Sequence, residues 1–222
     1  MWRFLSSAII GQLLLAVALF FPAGTLRYWQ GWAFMAVIAL HRVFLLYFYK
    51  YHPQLLERRL LRKETVFTQR IILFLLRRVI GLTVVLSGLD YRFGWSRQLI
   101  APVPAWLTVL ALLVILACQV LIFRVMQSNA FAASIIQIEA GQTIAAEGPY
   151  RHVRHPMYAV WCVQWLFVPL ALGSFVALPL GALATPIFVW RLLDEEKLLR
   201  RDLPGYAEYC ERTKERLVPY VW

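Results

Sequence analysis

The chain contains the stretch Ala105-Trp-Leu-Thr-Val-Leu-Ala-Leu-Leu-Val-Ile-Leu-Ala-Cys-Gln-Val-Leu-Ile-Phe123, which carries no charged side chain. A helix needs about 20 mostly apolar residues to cross the hydrocarbon core of a bilayer, and this stretch has that length and character. Other apolar runs precede and follow it: Phe4 to Phe21, Gly31 to Tyr49, Ile71 to Leu89, Met157 to Leu172, and Phe175 to Trp190. The sequence therefore predicts an all-α polytopic integral membrane protein of about six transmembrane helices, with a C-terminal helical hairpin and a cytoplasmic tail.

The composition also points to lipid as the solvent. The chain is 61% hydrophobic, with a mean hydropathy of +0.62, whereas a soluble domain is about half apolar. The formal net charge is +11 at pH 7, and the charged residues cluster between the apolar runs. Such a surplus suggests basic loops on an anionic leaflet, so we expect contact with a lipid bilayer and no nucleic-acid partner.

The basic residues predict the orientation of the chain. With six spans, the segments Lys50–Arg70, Arg124–Arg154 and the tail after Arg191 all fall on one side of the membrane. Because basic loops stay in the cytoplasm, we expect both termini to be cytoplasmic. Arg77 and Arg78 lie inside the third run, where a charge is costly. Either the helix begins nearer to them and they snorkel, or they face a polar cavity.

Two polar clusters flank the final hairpin. The first is Gly148-Pro-Tyr-Arg-His-Val-Arg-His-Pro-Met-Tyr158, and the second is Arg191-Leu-Leu-Asp-Glu-Glu196. A short hairpin joins their membrane ends, so the clusters meet at the cytoplasmic interface. His155-Pro156 predicts a helix start, whose free N–H groups can hold a carboxylate or phosphate. Because the second cluster can bind an ammonium group, we predict a site for a ligand with both charge signs.

Each cluster also has a simpler explanation. In the simpler interpretation, the glutamates of the second cluster are solvated residues on the surface of a helix. A metal site at His152 and His155 lacks a third ligand nearby, so we expect no metal. In the simpler interpretation of the first cluster, its basic residues and histidines anchor the segment to lipid headgroups. These residues are Arg151, His152, Arg154 and His155.

Taken in order, these blocks resemble the isoprenylcysteine carboxyl methyltransferase family, with the phospholipid methyltransferases as more distant relatives. The blocks are Gly148 to Tyr158, Glu195-Glu196, Leu203-Pro-Gly-Tyr-Ala-Glu-Tyr209 and Arg216-Leu-Val-Pro219. The similarity covers Gln142 to Trp222. The segment Leu89-Asp-Tyr-Arg-Phe-Gly-Trp-Ser96 is similar to prokaryotic members, which suggests a prokaryotic inner membrane as the location.

The resemblance implies methyl transfer from S-adenosylmethionine to a lipophilic or small acceptor that enters from the bilayer, such as a carboxylate. It implies that Arg191 holds the substrate and that Glu195 or Glu196 binds the cofactor. The family's other cofactor contacts fall on Gln142, Thr143, Ile144, Ala145, Tyr150, His155, Pro156, Met157 and Tyr158. We therefore interpret 1–222 as one membrane domain, with a four-helix part over 1–124 and a cofactor-binding part over 125–222.

Two other functions stay open at this point. Membrane reductases of the sterol-reductase type are similar at the C-terminus, with Arg-His-Pro-x-Tyr and a tyrosine-rich tail, and bind NADPH there. The Glu195-Glu196 block is closer to the methyltransferase pattern. A membrane transporter or assembly protein without catalytic activity is the second alternative, because fold alone does not decide function.

Overall fold

The computed structural model describes residues 2–51, 64, 66–129 and 144–222. Every regular element in these residues is helical, which confirms the predicted all-α fold. The elements are α1 (Trp2–Ala23), α2 (Trp29–Tyr51), α3 (Phe67–Phe93), α4 (Trp95–Leu99), α5 (Ala105–Ser128), a 3-10 turn (Gly148–Arg151), α6 (Pro156–Ala171), α7 (Leu178–Asp202) and α8 (Tyr206–Arg212).

Four of the described helices, α1, α2, α3 and α5, are long and apolar enough to cross a membrane. Their outward surfaces expose large aliphatic side chains, as Leu14 on α1 and Leu113 on α5 illustrate. Exposed apolar surface on this scale is costly in water, so the helices indicate an integral membrane protein in a lipid bilayer. The other two predicted spans correspond to α6, a shorter apolar helix, and to the apolar first half of α7. The total of six crossings stays a prediction.

The third helix differs from the prediction at its far end. The third apolar run ends at Leu89, but α3 continues to Phe93 and ends at Gly94, whose φ is +70°. The helix continues because the Asp90 carboxylate is buried and fully engaged: it accepts hydrogen bonds from the Ser96 amide (2.7 Å), the Ser96 hydroxyl and the Ser174 hydroxyl (2.5 Å). These bonds tie the end of α3 to the turn of the α6–α7 hairpin.

Arg77 and Arg78 are exposed on the surface of α3. The Arg78 guanidinium sits over the Phe74 ring, 4.7 Å from its centroid. The opposite side of α3 carries Ile72 and Leu76, which pack in the same apolar cluster as residues of α6 and α7. The predicted helix start nearer to the arginines is wrong, since α3 already begins at Phe67. The arginines lie on the helix surface, where long side chains can reach toward an interface.

The two arms of the hairpin approach each other closely. A Cβ atom built at Gly181 on α7 would lie 2.4 Å from the Trp165 carbonyl oxygen on α6. Only glycine fits this contact, so Gly181 sets the separation of the two helices. In turn, α6 packs against α5 and α7 packs against α3. The hairpin is thereby held between the N-terminal helices, which fixes where its charged ends meet.

Candidate functional site

The candidate site lies where three segments converge. The first is the start of α6, and the second is the charged half of α7, which follows its apolar half after Trp190. The third is the tail after α8, which crosses the start of α6. The amides of Arg154 and His155 donate to the carbonyls of Glu215 and Arg216, each at 2.9 Å. These two backbone bonds hold the tail against the segment that leads into α6.

Glu196 is the most enclosed carboxylate of the site, with 3% of its surface exposed. Its Oε1 atom lies 3.2 Å from His155 Nε2 and 3.0 Å from Arg154 Nε, an ion pair whose N–H is not aligned for a hydrogen bond. Its Oε2 atom accepts a hydrogen bond from Arg216 Nε at 3.0 Å. Burial alone would raise the pKa of Glu196, but His155 and the two arginines outweigh it and lower this pKa to about 2.

Glu195 has a different environment from its neighbour. Its Oε2 atom accepts a hydrogen bond from the Tyr158 hydroxyl at 2.7 Å, and that hydroxyl accepts one from Arg191 Nε at 3.0 Å. The result is a chain of cation, hydroxyl and carboxylate across α6 and α7. Glu195 is half-buried, whereas Tyr158 and Arg191 are buried. Among the described residues, Glu195 Oε1 has no hydrogen-bond partner.

Asp194 completes the acidic trio but points elsewhere. Its Oδ2 atom accepts a hydrogen bond from Gln69 Nε2 at 2.5 Å, and Gln69 is fully buried on α3. The three consecutive acids, Asp194 to Glu196, thus serve three different sets of partners. The reason is the helical repeat, since each residue is turned by about 100° from the one before it.

The tail tyrosines build an apolar wall beside these charges. Tyr206 and Tyr209 are buried together with Leu203 and Cys210, and Ile144 packs against them. The Tyr209 hydroxyl donates to the Tyr150 carbonyl at 2.7 Å. Within the described part of the chain, the Tyr206 hydroxyl has no hydrogen-bond partner, although only 4% of the residue is exposed. A buried hydroxyl without a hydrogen-bond partner lowers the stability of the fold, so this hydroxyl marks a place where a polar atom of a ligand can bind.

The structure brings part of the predicted set together and leaves part apart. His155, Tyr158, Arg191, Glu195 and Glu196 form the connected polar group described above. Ile144 and Tyr150 are half-buried and contact the tail, and Ala145 is half-buried. Pro156 is buried at the start of α6, and Met157 packs against a cluster of α2 and α5. Gln142 and Thr143 lie outside the described residues.

Three residues with direct roles in this geometry were not among the predicted site residues: Arg154, Gln69 and Arg216. Arg154 is only 6% exposed, so it and the buried His155 do not serve as lipid anchors, whereas Arg151 and His152 are exposed. Arg154 and Arg216 stand in the sequence blocks that resemble the family, which is a signal that could have found them. Gln69 on α3 belongs to none of these blocks, so the sequence carries no comparable signal for it.

Comparison with known proteins agrees with this arrangement. No curated protein matches the chain significantly. A family model described as the isoprenylcysteine carboxyl methyltransferase (ICMT) family matches residues 109–201. The match extends from α5 through the hairpin to the charged half of α7, and so includes Tyr158, Arg191, Glu195 and Glu196. The match confirms the resemblance carried by the sequence blocks that lie within residues 109–201, and it supports a membrane methyltransferase.

Proposed function

We propose that the protein transfers a methyl group from S-adenosylmethionine to the carboxylate of a lipophilic acceptor. The observation that carries this proposal is the series of hydrogen bonds that runs from the buried Arg191 through the buried Tyr158 to the half-buried Glu195. It sets a cation and a carboxylate on either side of one hydroxyl, at the end of an apolar hairpin. Such a site suits two ligands of opposite charge that must be brought face to face.

The residues fit S-adenosylmethionine, which carries an ammonium, a carboxylate, a sulfonium and an adenosine. We assign the ammonium to Glu195, because Glu196 is already paired with two arginines, Arg154 and Arg216. The amides in the first turn of α6 suit the carboxylate, since they have no carbonyl partner within the helix. The unpartnered hydroxyl of Tyr206 suits a polar group of the nucleoside.

When bound, S-adenosylmethionine would supply an electrophilic methyl group on its sulfonium. A carboxylate acceptor is ionised at neutral pH, so the chain needs no general base. The work left to the protein is alignment and the exclusion of water. Arg191 holds the acceptor carboxylate, and Tyr158 fixes the direction of Arg191 relative to Glu195. With the carboxylate so held, the chemistry that S-adenosylmethionine would supply is displacement of its methyl group from sulfur onto a carboxylate oxygen, with S-adenosylhomocysteine as the leaving group and no change in the proton count.

The apolar surroundings favour an acceptor that arrives through the bilayer. Arg191 lies one residue beyond Trp190, at the boundary between the apolar and charged halves of α7. A lipophilic molecule diffusing in the membrane would meet Arg191 from the apolar side, while the nucleoside cofactor would enter from water. We place this water-facing side on the cytoplasmic face of a prokaryotic inner membrane. Residues 125–222 form the cofactor-binding part.

A transfer assay tests the proposal. Detergent-purified protein is given S-adenosylmethionine labelled on its methyl group and N-acetyl-S-farnesylcysteine as the probe acceptor, and label in base-labile methyl ester is counted. We expect Arg191→Ala to lower kcat/KM by about 100-fold, the scale of a misplaced reactant, and to leave the affinity for S-adenosylhomocysteine within threefold.

Arg201→Ala provides the control for the loss of an arginine from α7. Arg201 is exposed and pairs with Asp202, so its removal should leave turnover unchanged. Full turnover by Arg191→Ala would sink the role given to Arg191.

A further inference from the structure

A groove of about 330 Å³ lies along α7, away from the chain that joins Arg191 to Glu195. Its lining consists of Trp190, Leu193, Asp194, Glu196, Lys197, Arg200 and Arg216. Four of these residues are spaced i, i+3, i+4 and i+7 from Trp190 and so share one face of the helix. Arg191 and Glu195 are turned about 110° and about 150° from the middle of that face. The groove therefore opens on a different side of α7 from Arg191 and Glu195, and it adjoins the candidate site at Glu196 and Arg216.

The charges in this groove do not cancel. The lining carries three cations, Lys197, Arg200 and Arg216, against two carboxylates, Asp194 and Glu196, and Glu196 also pairs with Arg154, which lies outside the lining. In the part of the chain that the structure describes, neither Lys197 nor Arg200 has an ion-pair partner, and both are exposed. Two cations on adjacent turns of α7 are thus left to attract an anion.

The position of the groove selects the kind of anion. Trp190 is 43% exposed at the point where α7 changes from apolar to charged residues. Tryptophan favours this depth, at the boundary between hydrocarbon and headgroups. Trp190 and Leu193 form an apolar wall at one end of the groove, and the cations lie further along the helix. This order, apolar wall first and cations beyond it, matches a molecule with an apolar chain and an anionic head.

We propose that the groove binds an anionic phospholipid of the surrounding bilayer. Its phosphate would lie between Lys197 and Arg200, and an acyl chain would lie along Trp190 and Leu193. Arg216 lines the same groove while it donates to Glu196. A lipid bound there would therefore also brace the tail that closes the proposed site, although the lipid site itself does not depend on the proposed reaction.

Native mass spectrometry of the detergent-purified protein tests this. The protein is titrated with dioleoyl phosphatidylglycerol, with dioleoyl phosphatidylcholine as the uncharged match for the same acyl chains. A juxtamembrane cation contributes about 1 kcal/mol to binding of anionic lipid, so losing two weakens it about 30-fold. We expect the first phosphatidylglycerol to bind Lys197→Gln/Arg200→Gln about 30-fold more weakly than the unaltered protein, with phosphatidylcholine binding unchanged.

The double variant Arg201→Gln/Lys214→Gln removes the same charge from exposed positions outside the groove. It should lose no more than about threefold in affinity, because charges away from the bound phosphate are screened by salt. Both variants change exposed side chains, and equal unfolding midpoints in lipid-free detergent would show that both fold. Equal loss in the two variants would overturn the proposal in favour of general surface attraction. Equally tight binding of sn-glycerol 3-phosphate would overturn it in favour of a site for soluble anions.

Discussion

Replacement of Glu196 by glutamine should destabilise the protein strongly without altering its shape. The carboxylate lies beside His155, Arg154 and Arg216, which come from two segments on either side of it in the fold. Glutamine keeps the size of the side chain but removes the negative charge. Breaking a buried ion pair in this way typically costs about 3–5 kcal/mol, because the remaining charges are left uncompensated.

The lowered pKa of Glu196 gives the size of this destabilisation and its dependence on pH. A change from 4.5 to about 2 corresponds to about 3 kcal/mol of stability, at 1.36 kcal/mol per pH unit. Because the folded-state pKa is the lower one, this stability is complete above about pH 4.5 and is lost as the pH falls toward 2. The gap in unfolding free energy between the unaltered protein and Glu196→Gln should therefore shrink by about half by pH 3.

Thermal unfolding in a mild detergent, followed from pH 7 to pH 3, measures this gap. At pH 7 we expect the midpoint of Glu196→Gln to fall by about 6–12 °C. Glu195→Gln is the matched control, because its single described partner, the Tyr158 hydroxyl, can also donate to an amide oxygen. A Glu196→Gln midpoint within 1 °C of the unaltered protein, or a gap that stays constant down to pH 3, would refute this reasoning.

Three further predictions follow from single contacts. Asp90→Asn should lower stability by about 1–3 kcal/mol in thermal unfolding, because an amide cannot accept all of the donors that converge on Asp90, while Asp202→Asn at the surface should change little. Gly181→Ala should cost about 1–3 kcal/mol by forcing the hairpin apart, whereas Gly81→Ala, with nothing within 4 Å of its Cβ, should be neutral or gain up to about 1 kcal/mol; equal effects would contradict the close hairpin contact. Tyr206→Phe should leave the unfolding midpoint unchanged or raised, since it removes an unpartnered hydroxyl, and should weaken S-adenosylhomocysteine binding in calorimetry by about 2- to 10-fold; unchanged affinity would remove Tyr206 from the site.

Much of the helical fold could be predicted from the sequence, because the length of an apolar run reports directly on a helix that crosses lipid. The helix start at His155-Pro156 was also predicted and is confirmed. Glycine and proline act on the backbone locally, so their effects do not depend on the rest of the fold.

The end of α3 was mispredicted for the opposite reason. Asp90 interrupts the apolar pattern, and a local reading ends the helix there. Its partners Ser96 and Ser174 lie in different parts of the chain, and only the tertiary arrangement shows that a buried acid is satisfied at that point. Long-range polar contacts of this kind carry no periodic signal.

The different contacts of Glu195 and Glu196 show the same limit of prediction from local sequence. Adjacent acids in a helix are equivalent in a sequence pattern. In the fold, one faces a hydroxyl and the other is enclosed by cations of the tail and of the segment before α6. The blocks of sequence could therefore predict that the pair matters, but not which member is available to a ligand.

Calorimetric binding of S-adenosylhomocysteine to the detergent-purified protein tests the central claim most directly. The account predicts micromolar binding that weakens about 10- to 100-fold in Glu195→Gln, the loss expected for one charge-assisted hydrogen bond. Glu196→Gln, compared below its own unfolding midpoint, should be affected less. No binding of S-adenosylhomocysteine to the folded protein, together with binding of NADPH, would contradict the methyltransferase proposal and favour a membrane reductase.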